Sequence, residues 1–162
     1  MKIYLIRHGE AIDHETSSVK SDEYRFLTIK GRMTTRKVAK SLKEELEAAD
    51  KIFTSPLTRA VQTSEVIATT IKYKNDVEIA NELRIGSSIS QVIELIRLNS
   101  DVNSIVLVGH EPMMGMLVGA LSNKKDFYNF KKSGVCLIDF DTKKEHGTYK
   151  WFLNPKTLEH IN

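Results

Sequence analysis

Three short apolar segments, each followed closely by an arginine or a histidine, constrain the fold of this 162-residue chain more than any other feature. They are Lys2–Ile6 before Arg7-His8, Lys51–Thr54 before Ser55-Pro56 and Arg59, and Ser104–Val108 before Gly109-His110. Continuous apolar runs of this length are typical of central strands that are covered on both faces. Because the carboxyl ends of parallel strands meet at one edge of a sheet, we expect the two arginines and two histidines to share one crevice.

Segments with the helical spacing of apolar residues lie between the strands. They are Ile29–Ala49 with Thr28 as its N-cap, Leu57–Lys72, Ser87–Leu98 and Pro112–Leu121. Further strands are predicted at Val77–Ile79, Val135–Phe140 and Thr148–Leu153, with Gly147 in the last turn, and Ala11–Phe26 is predicted to be a loop. This alternation predicts an α/β fold, a three-layer α/β/α sandwich with a mostly parallel central sheet and an antiparallel element near the C-terminus.

The composition limits the class of protein. Hydrophobic residues make up 41% of the chain and charged residues 28%, and no linker divides it, so residues 1–162 are predicted to form a single domain. The net charge of +3 is too small to indicate a nucleic-acid-binding protein, and no apolar run approaches the ~20 residues of a membrane span. Cys136, the only cysteine, lies in an apolar segment and is predicted to be buried. We expect a cytoplasmic protein that binds neither nucleic acid nor membranes.

The converging side chains suit the chemistry of a phosphoryl group. Arginine offers planar, permanently charged donors to phosphoryl oxygens, and a neutral histidine can act as a nucleophile. Together they predict a phosphate pocket that needs no metal or other cofactor. A metal site formed by His8, His110 and Glu10 is disfavoured, because Arg7 and Arg59 would repel the cation. Each of these residues has a simpler interpretation when it is taken alone, as a locally hydrogen-bonded histidine or an ordinary surface arginine.

Three motifs in this order resemble those of a known family. Arg7-His8-Gly9-Glu10 after an N-terminal strand resembles the signature of the histidine phosphatase superfamily, also called phosphoglycerate mutase-like. Ser55–Thr63 resembles its second motif, and Val108–Pro112 its third. The small size and the opening Arg-His-Gly-Glu-Ala are most similar to the SixA-type phosphohistidine phosphatases.

The resemblance implies a role for each matching residue. His8 would be the nucleophile that accepts the phosphoryl group, and water would then hydrolyse the phosphohistidine intermediate. The other expected catalytic residues are Arg7, Arg59 and His110. The residues expected to contact the substrate are Arg7, Arg59, His110, Gly9, Glu10 and Thr58. The simpler alternatives are a plain loop carboxylate for Glu10 and a helix-capping hydroxyl for Thr58.

The sequence departs from the family at the general acid. Many members carry a glutamate after Leu-Arg, where this chain reads Leu83-Arg84-Ile85, and Glu82 is the remaining candidate acid. The resemblance and this departure predict a phosphorylated protein carrying phosphohistidine as the substrate and partner. The alternatives are a small phosphorylated molecule, cleaved by a phosphomonoesterase of the same superfamily, or a phosphoprotein-binding module without turnover.

Overall fold

The computed structural model describes residues 1–15 and 19–162. Within these residues the chain forms seven strands and five α-helices. The strands are β1 (Lys2–Arg7), β2 (Lys51–Thr54), β3 (Val77–Ile79), β4 (Ser104–Gly109), β5 (Val135–Asp141), β6 (His146–Leu153) and β7 (His160–Ile161). The helices are α1 (Ile29–Ser41), α2 (Lys43–Glu47), α3 (Thr58–Ile71), α4 (Ile89–Leu98) and α5 (Met113–Leu121), with 3₁₀ turns at Asp22–Tyr24 and Asn81–Leu83.

All seven strands form one sheet in the order β3-β2-β4-β1-β5-β6-β7. The first four strands in this order are parallel, whereas β5, β6 and β7 are antiparallel to their neighbours. Arg7 pairs with Gly109, and Thr54 pairs with Val108, so β1, β2 and β4 end at the same edge. The predicted mixed α/β sheet is therefore confirmed, and the register brings the three motifs to one place.

Side chains alternate between two hydrophobic cores, one on each face of the sheet. Ile3 and Leu5 of β1 lie in the core that α4 and α5 cover, whereas Tyr4 and Ile6 lie in the core that α1, α2 and α3 cover. Burying a side chain of this size stabilises a fold by roughly 1.5–3 kcal/mol. Because β1 buries side chains on both faces of the sheet, it contributes strongly to the free energy of folding. Cys136 of β5 is fully buried as predicted, and burial raises the pKa of its thiol.

The single helix predicted at Ile29–Ala49 is divided at Leu42. The Ser41 hydroxyl donates a hydrogen bond to the carbonyl of Val38 at 2.9 Å, a contact that commonly bends helices. Leu42 itself leaves the helical conformation and is 1% exposed, and Leu46 of α2 is also fully buried. The bend thus keeps both leucines against the sheet.

The C-terminal hairpin also differs in detail from the prediction. Gly147 was predicted in the turn but lies within β6, where an added Cβ would be 2.7 Å from Cγ2 of Ile138. Asp141 organises the actual turn, because its carboxylate accepts hydrogen bonds from the amides of Lys143 and Lys144. The short strand β7, which was not predicted, pairs with the end of β6.

The two ends of the predicted loop Ala11–Phe26 are held together by backbone pairing. Ala11 forms an isolated antiparallel bridge with Leu27, and the 3₁₀ turn at Asp22–Tyr24 lies between them. Residues 16–18 of this prediction lie outside the described residues. No helix in the described part of the chain is long and apolar enough to cross a membrane.

Candidate active site

The ends of β1, β2 and β4 bring His8, Arg59 and His110 together. The amide of His8 donates to the carbonyl of Gly109 at 3.0 Å, and the amide of Ser55 donates to Val108 at 2.9 Å, so the three strand ends are directly connected. The His8 and His110 rings lie 5.0 Å apart between centroids. All three site side chains are at most 6% exposed, which is unusual for such polar groups outside a functional site.

The hydrogen bonds of His8 define its tautomer. Nδ1 lies 2.7 Å from the carbonyl oxygen of Gly9, which can only accept, so Nδ1 carries the proton. Nε2 lies 3.3 Å from Nε–H of Arg59, which can only donate, so Nε2 presents its lone pair. The backbone therefore orients the ring and leaves Nε2 as the nucleophilic atom.

Burial also keeps His8 neutral. It lowers the pKa of His8 to about 3, because the imidazolium would lose its hydration, and the hydrogen bond to Gly9 opposes this only in part. Nearby His110, Arg59 and Arg7 lower the pKa of His8 further. At neutral pH Nε2 is consequently unprotonated, so attack requires no base and only the release of its hydrogen bond from Nε–H of Arg59.

His110 has one bonded and one unbonded ring nitrogen. Its Nε2 is 2.8 Å from the Ser55 hydroxyl, which also accepts a hydrogen bond from the amide of Leu57. Because a hydroxyl can both donate and accept, this contact fits either neutral tautomer of His110. Nδ1 of His110 is buried and has no partner among the described residues. Burial, followed by the charge of Arg59, lowers the pKa of His110 to about 4.

Arg7 is the last residue of β1, and one edge of its guanidinium is hydrogen-bonded to the backbone. Its Nη1 donates to the carbonyl of Phe130 at 2.7 Å, whereas its Nε is buried without a hydrogen-bond partner in the described part of the chain. Buried donors in folded proteins nearly always have a partner, so an unpaired Nε–H beside the site indicates a place for an anion.

Arg59, in the first turn of α3, is held by Asp22, which no pattern in the sequence indicates. Its Nη1 donates to the backbone carbonyl of Asp22 at 2.8 Å, and its Nη2 donates to the Asp22 carboxylate at 2.9 Å. Burial opposes the ionisation of Asp22, but hydrogen bonds from Arg25 and Arg59 outweigh it and lower the pKa of the carboxyl. Asp22 lies in a polar loop without periodicity, and no local pattern connects it with a helix that begins 36 residues later.

The other residues predicted to contact the substrate are Gly9, Glu10 and Thr58. The amide of Gly9 donates to the Thr63 hydroxyl at 3.0 Å, and an added Cβ would lie 2.8 Å from Thr35 Oγ1, so Gly9 permits close packing beside His8. Glu10 accepts a hydrogen bond from the Thr28 hydroxyl and lies 3.4 Å from Nζ of Lys30. Thr58 is the half-buried first residue of α3.

Two cavities adjoin the site. One of about 620 Å³ is lined in part by Arg7 and Glu10, and one of about 370 Å³ is lined in part by His110 and Ile85. Leu83 and Arg84 also line the smaller cavity, but Glu82 does not. Ile85 therefore occupies the position where the family motif carries a glutamate, whereas Glu111, which also lines this cavity, accepts hydrogen bonds from the amides of Gly115 and Phe130.

Comparisons with known proteins agree with this geometry. The model of the histidine phosphatase superfamily (branch 1) matches residues 3–84. Phosphohistidine phosphatase SixA of Escherichia coli (strain K12) is 27% identical over 161 residues, which are 98% of this chain and 97% of that protein. An uncharacterised protein of Picosynechococcus sp. (strain ATCC 27264 / PCC 7002 / PR-6) is 32% identical over 138 residues, 83% of this chain and 82% of that protein.

A solved structure has the same fold over nearly the whole chain. The protein histidine phosphatase SixA complexed with tungstate superposes with a TM-score of 0.88 at 27% identity, covering 98% of this chain and 100% of that one. The family model spans half of the sequence, including the strand end that carries His8 and the helix turn that carries Arg59. With its two buried histidines and two arginines at one edge of the sheet, the chain belongs to the histidine phosphatase superfamily.

Proposed function

We propose that this protein is a phosphohistidine phosphatase that works through a covalent phosphoryl intermediate on His8. The observation that carries the proposal is the state of His8, which is buried, neutral and fixed by Gly9 with a lone pair on Nε2. The likeness to the SixA phosphohistidine phosphatase of E. coli supports this choice of activity. The partner is then a protein that carries phosphohistidine.

In the first step, Nε2 of His8 attacks the phosphorus atom in line with the bond that breaks. The P–N bond of the substrate phosphohistidine breaks, and its electron pair goes to the departing imidazole. If the other ring nitrogen of the substrate is protonated, the departing imidazole is neutral. Nδ1 of His8 keeps its proton and donates a hydrogen bond to the Gly9 carbonyl. The phosphorylated ring therefore carries a positive charge, which this hydrogen bond stabilises.

In the second step, water attacks the phosphorus atom and the P–Nε2 bond of His8 breaks. The electron pair returns to Nε2, so His8 regains the neutral Nδ1–H form in which it began. The water proton passes to phosphate or solvent, and inorganic phosphate leaves. The hydrogen bond to Gly9 thus serves both steps without moving a proton.

Arg7, Arg59 and His110 are proposed to hold the phosphoryl oxygens. The unpaired Nε–H of Arg7 is a donor, and the unpaired Nδ1 of His110 is one in the tautomer in which Ser55 donates to Nε2; neither atom has a partner within the described residues. Both residues lie beside His8. Donors already fixed in position stabilise the charge that develops in the transition state, which is the main requirement of phosphoryl transfer. Two arginines also supply the charge that a metal ion would otherwise provide.

The choice of phosphohistidine as substrate follows from the leaving group. An alkyl phosphate releases an alkoxide, which needs a proton from a general acid, whereas a protonated imidazole ring with a free pKa of ~6.5 leaves unaided. Ile85 lines the cavity beside His110 at the family's glutamate position, and the carboxylate of Glu111, which also lines this cavity, is already hydrogen-bonded to the amides of Gly115 and Phe130. We expect kcat/KM to be highest for phosphohistidine, lower for p-nitrophenyl phosphate and lowest for alkyl phosphates.

The test is to trap the intermediate and remove the nucleophile. Wild-type protein quenched during turnover of phosphohistidine peptide should carry phosphate that is stable in alkali and labile in acid, and mass spectrometry should locate it on His8. His8→Ala should lose turnover and labelling. His146→Ala, a change at an exposed histidine in β6, is the matched control and should retain both.

Two results would overturn the proposal. Full turnover by His8→Ala would exclude the nucleophile. An alkyl phosphate cleaved as fast as phosphohistidine would exclude the substrate class, and loss of that activity in Glu82→Gln would then identify Glu82 as a general acid.

A further inference from the structure

The larger cavity beside Arg7 concentrates positive charge. Its charged lining residues are Arg7, Glu10, Lys30, Lys131, Lys132 and Lys156. Five cations and one carboxylate give this lining a net charge of +4, against +3 for the whole chain, so all other residues together sum to −1. The lining of this one cavity therefore carries more net positive charge than the whole chain does.

The backbone holds two of these lysines in a fixed position relative to the nucleophile. The amide of Ser133, next to Lys132, lies 3.1 Å from the carbonyl oxygen of Arg7 and 3.2 Å from that of His8. The Ser133 hydroxyl is also hydrogen-bonded to the buried Thr35 hydroxyl at 2.9 Å. Lys131 and Lys132 thus extend from a segment bonded directly to the strand end that carries His8.

Most of the charge on this surface is uncompensated. Within the residues that the structure describes, no carboxylate lies within 4.0 Å of Nζ of Lys131, Lys132 or Lys156. Glu10, the only acid among the described lining residues, is already engaged by the Thr28 hydroxyl and by Lys30. A cluster of like charges without counter-charges is unfavourable for the free protein but attracts an oppositely charged partner.

We propose that these four lysines, here named the basic rim (Lys30, Lys131, Lys132 and Lys156), dock an acidic surface next to the phosphohistidine of the partner protein. The inference rests on the proposed function and specifies its partner. All four side chains are exposed, and they come from three separate parts of the chain: α1, the segment before β5 and the segment after β6. A small-molecule site would bury most of its ligand among a few enclosed polar groups. Exposed ammonium groups from three parts of the chain are instead suited to the carboxylates of a protein surface.

The experiment compares three phosphohistidine peptides of equal length, in which the residues around the phosphohistidine are glutamate, glutamine or lysine. Wild-type kcat/KM should be highest for the acidic peptide, by about tenfold or more over the neutral one at low ionic strength, and added salt should reduce this advantage. The lysine peptide should be the poorest substrate. p-Nitrophenyl phosphate serves as the uniform reference for the chemical step.

Charge reversal tests the basic rim itself. The double variant K131E/K132E should lose most of the preference for the acidic peptide while its turnover of p-nitrophenyl phosphate changes by no more than about twofold. K143E/K144E is the matched control, since it makes the same charge change in the β5–β6 turn at the opposite edge of the sheet and should keep the preference.

The outcomes separate this inference from the proposed function. Equal kcat/KM for all three peptides, or an equal loss of preference in the two double variants, would overturn docking at the basic rim and leave the phosphatase proposal intact. If wild-type protein cleaves p-nitrophenyl phosphate but no phosphohistidine peptide, the proposed substrate fails and the docking inference fails with it. If pyrophosphate inhibits wild type but not K131E/K132E, and peptide charge has no effect, the rim is a small-anion site instead.

Discussion

Asp22→Asn is predicted to tighten the binding of phosphate-like anions. In the structure, the Asp22 carboxylate occupies one edge of the buried Arg59 guanidinium, with Nη2 2.9 Å from Oδ2. If an oxyanion uses that edge of Arg59, it must displace the carboxylate. Replacing the carboxylate by a neutral amide of the same shape weakens the competitor while keeping its size.

The magnitude follows from the loss of the ion pair. In Asp22→Asn the guanidinium of Arg59 stays charged, so a charge-assisted hydrogen bond remains, and what is lost is the attraction between opposite charges, about 0.2–1 kcal/mol for an exposed pair. Because the side chain of Asp22 is 48% exposed but that of Arg59 is only 3% exposed, we expect a difference at the upper end of this range, about 1 kcal/mol. Since 1.4 kcal/mol corresponds to tenfold, the dissociation constant should fall by about fivefold.

Isothermal titration calorimetry with tungstate or inorganic phosphate measures this change in the dissociation constant. Glu23→Gln is the control, because it breaks the ion pair between the same 3₁₀ turn and Arg84 without touching Arg59. The control should bind tungstate as wild type does. Unchanged or weaker binding by Asp22→Asn would show that Asp22 does not compete with the anion, and equal tightening in both variants would assign the effect to loosening of the turn.

Two further predictions concern the charged groups of the site. Arg7→Ala should lower kcat/KM for p-nitrophenyl phosphate by roughly 10²-fold or more, since it removes a donor aimed at developing charge. Arg7→Lys should restore little of this loss. Full restoration by lysine would indicate simple electrostatic attraction. Acid should destabilise the wild type through His8, because the folded pKa of about 3 lies below the unfolded value of ~6.5. Within that window the unfolded chain binds the extra proton, so stability falls by about 1.4 kcal/mol per pH unit as pH decreases. Urea unfolding between pH 7 and pH 5 should therefore show a shallower loss for His8→Ala, and equal slopes would contradict a buried neutral His8.

The sequence was sufficient to locate strands β1 to β6 and the arginines and histidines of the site, because both signals are local. An apolar run such as Ser104–Val108 requires burial wherever it lies, and the residues that follow a parallel strand must emerge at its carboxyl edge. The positions of Arg7, His8 and His110 in the sheet therefore followed from short segments considered one at a time.

The partners of those residues could not be found in the same way. Asp22 and Phe130 reach the arginines across 37 and 123 positions of the chain, and neither belongs to a periodic segment. Leu42 has good helical spacing, yet the bend after Ser41 depends on one side-chain hydrogen bond and on the burial of Leu42 and Leu46. Contacts of this kind depend on tertiary packing, which a single sequence does not encode in any local pattern.

The position of β1 also determines how the protein can lose its activity. β1 lies between β4 and β5, is hydrogen-bonded on both edges and is buried on both faces. Amides in such a central strand exchange with solvent only when the whole domain opens, whereas the 3₁₀ turn at Asp22–Tyr24 is joined to the site by side-chain hydrogen bonds and exposed ion pairs. Changes of shape on substrate binding are therefore expected in the Asp22–Tyr24 turn and the surface segments, whereas His8 stays in place until the protein unfolds globally.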